Sequence, residues 1–325
     1  MNPTELPSLP GLHHVSAICG DPQRNLDFYV GLLGLRLVKK TVNFDDPGSY
    51  HLYYGDAVGS PGTLMTFFAW TQVPPLATAQ GRTGANQIAS VTFAVPDGSL
   101  SFWVDRLADR AVDFEGPKTR HDEVFLAVKD PDGMTVHLVE RGPVGGEGDW
   151  AGGTVPEAHR IQRVDGIAMI VRDRSATEAF LRERMGFRRL GPKGDVTRLA
   201  LGEGRAESRL DLVADPEAPS GRMGRGAIHH VAWRAATEQD EARWREALVE
   251  AGYGVTDMRD RRYFQSIYFH EPAGVLFEIA TDGPGFLVDE EPGELGSSLA
   301  LPPWLEARRA SIRARLPEVV NRHLR

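Results

Sequence analysis

The chain has 325 residues, with 37 Lys+Arg against 45 Asp+Glu, a formal net charge of −8 and 41% apolar residues. This balance excludes the low-hydrophobicity profile of a disordered chain, and no apolar run approaches the roughly 18 residues of a membrane helix. The acidic charge without a basic tract argues against nucleic acid as a partner, and a single cysteine, Cys19, excludes an intrachain disulfide and any all-thiolate zinc or iron–sulfur site.

The opening Met1-Asn2-Pro3-Thr4-Glu5 lacks a basic stretch followed by an apolar one, so no secretory signal or membrane partner is expected and a cytoplasmic enzyme is the prior. The length suggests about two domains. In chain order, four segments repeat one grammar, which is the most informative feature of the sequence. The first opens with Gly11-Leu12-His13-His14-Val15, continues into a helix around Leu26-Asp27-Phe28-Tyr29 to Leu33, and closes after Pro61-Gly62 with Thr63-Leu64-Met65-Thr66. The second opens at Ile88, has a helix over Leu100 to Leu107, and closes with Asp130-Pro131-Asp132-Gly133 and a run to Leu138. The glycine-rich stretch Gly142 to Gly153 reads as a linker. The third unit opens at Val164, has a helix over Ala179 to Met185, and closes over Ser208 to Val213. The fourth opens with Ile228-His229-His230-Val231, has a helix over Ala242 to Leu248, and closes with Glu271-Pro272-Ala273-Gly274 and Val275 to Ile279. Trp304 to Leu316 then reads as a last helix in the tail.

Each helix leaves room for three further strands, so the unit is β-α-β-β-β and the fold class α+β. The expected division is a first domain over 8–141, a linker over 142–160, a second domain over 161–282 and a tail over 283–325.

The repeat allows the chain to be compared with itself. The second residue of each His-His-like opening and the position four after the closing glycine give His14 with Thr66, Ser90 with His137, Gly166 with Asp211, and His230 with Glu278. If the first and fourth units meet, His14, His230 and Glu278 supply two imidazoles and a carboxylate. That ligand set leaves open positions and suits Fe(II) and O₂ chemistry. Strand alternation puts Glu278 opposite the apolar Val275, Phe277 and Ile279. It also puts His230 opposite His229, Val231 and Trp233. A lone histidine is ordinarily a hydrogen-bonded core residue and a lone glutamate a solvated charge. The metal reading comes from an acid within an apolar strand together with His-His pairs at equivalent places. No metal is expected between the second and third units.

At these residues the sequence resembles the ring-cleaving dioxygenases of the vicinal oxygen chelate superfamily, in the branch that includes hydroquinone 1,2-dioxygenases. The resemblance runs from about Gly11 to Leu316 and also rests on Tyr50-His51-Leu52-Tyr53-Tyr54-Gly55-Asp56, Gly226-Ala227-Ile228-His229-His230 and Asp260-Arg261-Arg262-Tyr263-Phe264-Gln265-Ser266-Ile267-Tyr268. It implies two cup-shaped half-barrel domains of two βαβββ modules each, and an Fe(II) site of His14, His230 and Glu278, with Mn(II) an alternative. It further implies roles near the substrate for His13, His229, Arg261 and Tyr268, either Arg261 or Arg262 being the inward arginine.

The implied activity is extradiol-type cleavage of a hydroquinone- or catechol-like diol with O₂, with room for a homo-oligomer. One competing expectation is a glyoxalase-type metal enzyme on the same fold, which usually draws a carboxylate from both paired units; Thr66 at that position argues against it. The other is a non-catalytic protein that binds a small aromatic molecule.

Overall fold

A computed structural model describes the chain except residues 1–5, 71–78, 122, 143–149, 151, 205–206 and 324–325. Most of the expected linker at 142–153 therefore lies outside the described residues. Two curled eight-stranded sheets carry the fold. The first unit supplies β1 (Leu12–Cys19), β2 (Arg36–Val42), β3 (Tyr50–Gly55) and β4 (Leu64–Ala69). The second supplies β5 (Gln87–Val95), β6 (Phe114–Arg120), β7 (Glu123–Lys129) and β8 (Thr135–Glu140). The third has β9 (Arg163–Val171), β10 (Arg188–Lys193), β11 (Val196–Leu201) and β12 (Ser208–Ala214). The fourth has β13 (Ile228–Ala235), β14 (Arg259–Asp260), β15 (Phe264–His270) and β16 (Leu276–Pro284).

The four βαβββ units are present, but the sheets do not follow the division into 8–141 and 161–282. One sheet runs β14-β15-β16-β13-β1-β4-β3-β2 and joins the fourth unit to the first; the other runs β10-β11-β12-β9-β5-β8-β7-β6 and joins the third to the second. The connection from the first unit to the second and that from the third to the fourth run side by side where the chain passes between the sheets. Gly81 donates its backbone N–H to the carbonyl of Arg225, Arg82 to that of Arg222, and Ala85 to that of Pro219. One hydrophobic core draws on all four units.

The helices form where apolar residues fall three and four apart. α2 (Leu100–Asp109) buries Leu100, Trp103 and Leu107; α3 (Ser175–Glu183) buries Phe180 and Leu181; α4 (Glu238–Glu250) buries Trp244 and Leu248. Two expected helices differ. In the first unit, α1 (Pro22–Leu26) starts under an Asp21 cap and gives way to a π-helical turn over Asp27–Leu32. The tail helix is a 3₁₀ segment, Pro303–Arg308, followed by a short α5 (Arg309–Arg313). The tail crosses the first sheet. Phe286 stacks on Tyr263 and meets Tyr53, and the buried Lys39 ammonium is held by Asp289 at 2.6 Å and Glu290 at 2.5 Å.

The internal equivalences hold in register. Ser16 pairs with Thr66, Thr92 with His137, Ala168 with Asp211, and Ala232 with Glu278, each two residues beyond the superposed opening position. The closing turns of units one, two and four share one geometry: Gly62, Gly133 and Gly274 have φ of +89°, +88° and +90°, where a side chain is strained.

Candidate metal centre

Two β-bulges shape the centre. Leu12 pairs with Trp233 and His14 with Ala232, so His13 is the extra residue on β1. Ser16 pairs with His230 and Ala17 with Ile228, so His229 is the extra residue on β13. A bulge bends its strand and re-aims the side chain. Neighbouring histidines therefore end side by side, with Nδ1 atoms 2.9 Å apart for His13 and His14, and 2.7 Å apart for His229 and His230. This corrects the alternation argument. Val231 and Trp233 are in the core, but His229 lines the same cavity as His230.

β1 lies antiparallel to β13, and β16 parallel to β13, which brings His14, His230 and Glu278 together. All three are buried. Oε2 of Glu278 is 3.4 Å from Nε2 of His14 and 2.9 Å from Nε2 of His230, and the two Nε2 atoms are 3.4 Å apart. One ligand atom from each residue lies within 4.8 Å of the other two.

The hydrogen bonds behind these residues set their protonation. Burial, and then His14, pushes His13 down to about 3, so its ring is neutral. Its Nε2 donates to the Thr281 carbonyl at 3.1 Å, which leaves Nδ1 to accept from Nδ1–H of His14. The lone pair of His14 is thus on Nε2, beside Glu278. Burial, and then His230, pushes His229 down to about 3, so its ring is neutral; it shares one hydrogen with His230 across the Nδ1 contact, and when that hydrogen sits on His230 the Nε2 of His230 is left to bind a metal. Burial alone would raise Glu278; positive charge at the His14 and His230 side of the carboxyl holds it well below its usual range, and a bound cation supplies that charge when the Nε2 lone pairs face it. Neither Glu278 oxygen has a hydrogen bond of acceptable geometry. A buried carboxylate facing two imidazole lone pairs is a costly arrangement that a divalent cation satisfies, so these residues fit a metal.

A cavity of about 280 Å³ opens on this centre. Phe44, Phe68, Trp70 and Phe264 give it aromatic lining, and His51, Tyr53, His229, Arg261 and Tyr268 give it polar groups. His13 is not among the lining residues. It sits behind His14, packed on Phe264 with ring centroids 5.0 Å apart. Arg261 is the inward arginine. Its Nε donates to Tyr268 Oη at 3.2 Å, and its Nη1 pairs with Asp45 at 3.0 Å. Arg262 takes φ +70° and turns toward Asp289, 3.7 Å away. Burial would lower Arg261, but Tyr268 and Asp45 raise it, so the guanidinium stays charged. Tyr268 also accepts from Ser266 at 3.2 Å, and burial, then Glu278, pushes its hydroxyl up.

Sequence reasoning assigned no role to His51 and Tyr53. His51 Nδ1 is 2.9 Å from Tyr53 Oη, His51 Nε2 is 3.0 Å from Thr66 Oγ1, and Thr66 Oγ1 is 2.7 Å from Ser16 Oγ. A signal was available: in Tyr50-His51-Leu52-Tyr53-Tyr54 the alternation sets His51 and Tyr53 on one face and Leu52 and Tyr54 on the other.

The second cup is occupied by ion pairs. A Cβ on Gly166, the position equivalent to His14 and His230, would lie 2.1 Å from the Arg209 carbonyl oxygen, so no side chain fits there. Asp211 is clamped by Arg198 at 2.7 and 2.9 Å, and Asp165 by Arg141 and Arg209. No helix among the described residues is long and apolar enough to cross a membrane.

The Glyoxalase/Bleomycin resistance protein/Dioxygenase superfamily profile matches residues 11–138 and 163–279. The chain is 42% identical over 305 residues to MhqO of Bacillus subtilis, assigned as a ring-cleaving dioxygenase, covering 93% of this chain and 94% of that protein. It is 34% identical over 303 residues to the chlorohydroquinone/hydroquinone 1,2-dioxygenase of Sphingobium indicum, covering 91% and 92%. A crystal structure of an assigned Bacillus subtilis dioxygenase superposes with a TM-score of 0.90 at 40% identity, covering 96% of this chain and 98% of that one. By profile, sequence and fold, the chain belongs to the Glyoxalase/Bleomycin resistance protein/Dioxygenase superfamily, within the branch that holds these ring-cleaving dioxygenases.

Proposed function

We propose that the chain uses Fe(II), held by His14, His230 and Glu278, to open the ring of a hydroquinone- or catechol-like diol with O₂. That the chain is an enzyme of the ring-cleaving dioxygenase kind follows from its relatives. The observation that carries the finer reading is the buried His-His-Glu cluster at one end of an aromatic-lined cavity sized for a single ring. When bound, Fe(II) supplies a Lewis acid with adjacent open positions for the diol oxygen and O₂.

The chain's own residues do the rest. Phe68, Trp70 and Phe264 exclude water and orient the ring by its faces. Arg261 holds a positive charge beside the cavity and stabilises a developing phenolate. Tyr268 accepts hydrogen bonds from Arg261 and Ser266, so its own proton stays on Oη, ready to be donated to a reacting oxygen. His229 is neutral, and in the tautomer whose Nδ1 accepts from His230 its Nε2–H is a second donor to the cavity. His13 fixes the tautomer of His14 from behind. Thr66, bonded to Ser16 and His51, offers no second carboxylate, which counts against a four-ligand glyoxalase-type site.

The test is oxygen consumption against a panel of hydroquinones and catechols, after anaerobic loading with Fe(II) and, in parallel, Mn(II). Uptake of one O₂ per ring opened, with about one iron per chain, is the expected result. Metal binding with no uptake against any diol would sink the reaction, and no metal binding would sink the site.

A further inference from the structure

Tyr53 and Tyr268 are register mates on opposite arms of the first sheet. Tyr53 pairs with Thr66 across β3 and β4, as Tyr268 pairs with Glu278 across β15 and β16. On the same face and two residues upstream, His51 contacts the Tyr53 oxygen and Ser266 the Tyr268 oxygen. Both tyrosines line the cavity. Only Tyr268 has a part in the proposed reaction.

The direction of the bonds behind Tyr53 follows from counting hydrogens. The Ser16 hydroxyl, the Thr66 hydroxyl and the neutral His51 ring each carry one. Two orders are consistent. In one, Tyr53 donates to His51 Nδ1, His51 Nε2 donates to Thr66, and Thr66 donates to Ser16. The Ser16 hydrogen then has no acceptor, because Thr66 is the hydroxyl's one partner among the described residues and the site is fully buried. An unpaired buried donor is disfavoured. In the other order, Ser16 donates to Thr66, Thr66 to His51 Nε2, and His51 Nδ1–H to Tyr53 Oη. Every hydrogen behind the tyrosine is then used, and the Tyr53 hydrogen is left for the cavity. Tyr268, which accepts from both Arg261 and Ser266, is left in the same state.

We propose that Tyr53 is a second phenol donor to the substrate, held by His51, Thr66 and Ser16, so that the cavity recognises a one-ring phenol whose anionic oxygens are met from both sides. The proposal rests on the ring-cleaving reading and names the group that selects its substrate. Two donors polarised from behind bind an anionic oxygen more strongly than a neutral one.

The test is anaerobic titration of the Fe(II)-loaded protein with 4-nitrocatechol, followed by absorbance. Tyr53→Phe keeps the ring and removes the donor. It is expected to weaken binding about tenfold and to shift the absorption band of the bound anion, with iron content unchanged and a melting temperature only a few degrees lower, since His51 Nδ1–H loses its acceptor. Thr66→Val removes the donor to His51, freeing the ring to take the tautomer that draws the Tyr53 hydrogen inward. It should weaken binding in the same direction, and Thr66→Ser should restore it. A purely structural role would not give that rescue. Wild-type affinity and band position in Tyr53→Phe would overturn the proposal, as would Thr66→Val binding like the parent. If Tyr53→Phe fails to hold iron, the Thr66→Val and Thr66→Ser pair decides alone. The outcome is separable from the reaction, since a wild type that binds the probe but takes up no O₂ removes the activity while the titration still judges Tyr53. A wild type that does not bind the probe overturns both.

Discussion

Thr66 occupies in the first unit the place that Glu278 occupies in the fourth. Each closing strand lies parallel to its opening strand, and the pairs Ser16–Thr66 and Ala232–Glu278 stand at the same step of the ladder. The near-twofold cup thus has a carboxylate on one side and a hydroxyl on the other. The hydroxyl is already bonded to Ser16 and His51. This asymmetry leaves one side of the centre without a carboxylate, as the proposed reaction of a diol with O₂ requires, and a second carboxylate there would close it with four protein ligands.

Thr66→Glu should close that side. The variant is expected to bind divalent metal more tightly, read by competition with a chelator, and to lose O₂ uptake with diols. Undiminished uptake would mean that the position does not face the open side of the centre.

Glu278→Ala should abolish iron binding, because two neutral imidazoles remain and the only anionic ligand is gone; iron per chain would fall from about one to near zero. Asp211→Ala is the control at the equivalent place in the other cup. It should leave iron unchanged and cost roughly 3 kcal/mol in urea denaturation, since Arg198 and Arg120 lose a buried partner. Iron loss in Asp211→Ala would show that the wrong units had been paired.

Much of this site is legible in the sequence because a repeat carries its own alignment. His14, His230 and Glu278 emerge from superposing units whose registers then agree strand by strand. The helices are legible for a local reason: Leu100, Trp103 and Leu107 repeat at the helical period. The pairing of units enters the sequence reading only as a condition, that the first and fourth units meet, because no local pattern in an opening strand says which strand it pairs with; the contacts between the connections near Gly81 and Arg225 are long-range. The bulges are hidden for a related reason. One extra residue, His13 or His229, has no local pattern, yet it reverses which face a side chain takes. Tyr53 and His51 were visible as an alternation, but polar residues on one face of a strand do not reveal that they face a cavity and not water.

His13→Phe should lower metal affinity by about 10–100-fold. The phenyl ring cannot accept from His14 Nδ1–H, so the tautomer that presents Nε2 loses its support, and the Thr281 carbonyl loses its donor. His13→Asn keeps an acceptor and should recover part of the affinity. The discriminating measurement is chelator competition on both variants alongside the turnover of fully loaded protein. A positioning role lowers affinity more than turnover, and unchanged affinity would remove His13 from the centre.

The acid side of the stability curve should carry a contribution from His137. Burial, and then Arg120, pushes its imidazole from 6.5 down to about 4, and its Nδ1 is buried without a partner. The unfolded chain therefore takes up a proton on this group below about pH 6.5 while the folded chain resists until about pH 4. The unfolded state binds more protons across that window, so stability falls as the pH is lowered through it. The full depression corresponds to roughly 2–3 kcal/mol between pH 7 and pH 4. His137→Gln stays neutral throughout and should flatten that part of the curve when urea midpoints are compared at pH 7 and pH 4.5. His137 lies in the cup filled by ion pairs, so the change should leave iron content untouched, and a parallel loss of iron would mean the two cups are coupled. Equal acid sensitivity in the variant and the parent would show that His137 is already solvated in the folded chain.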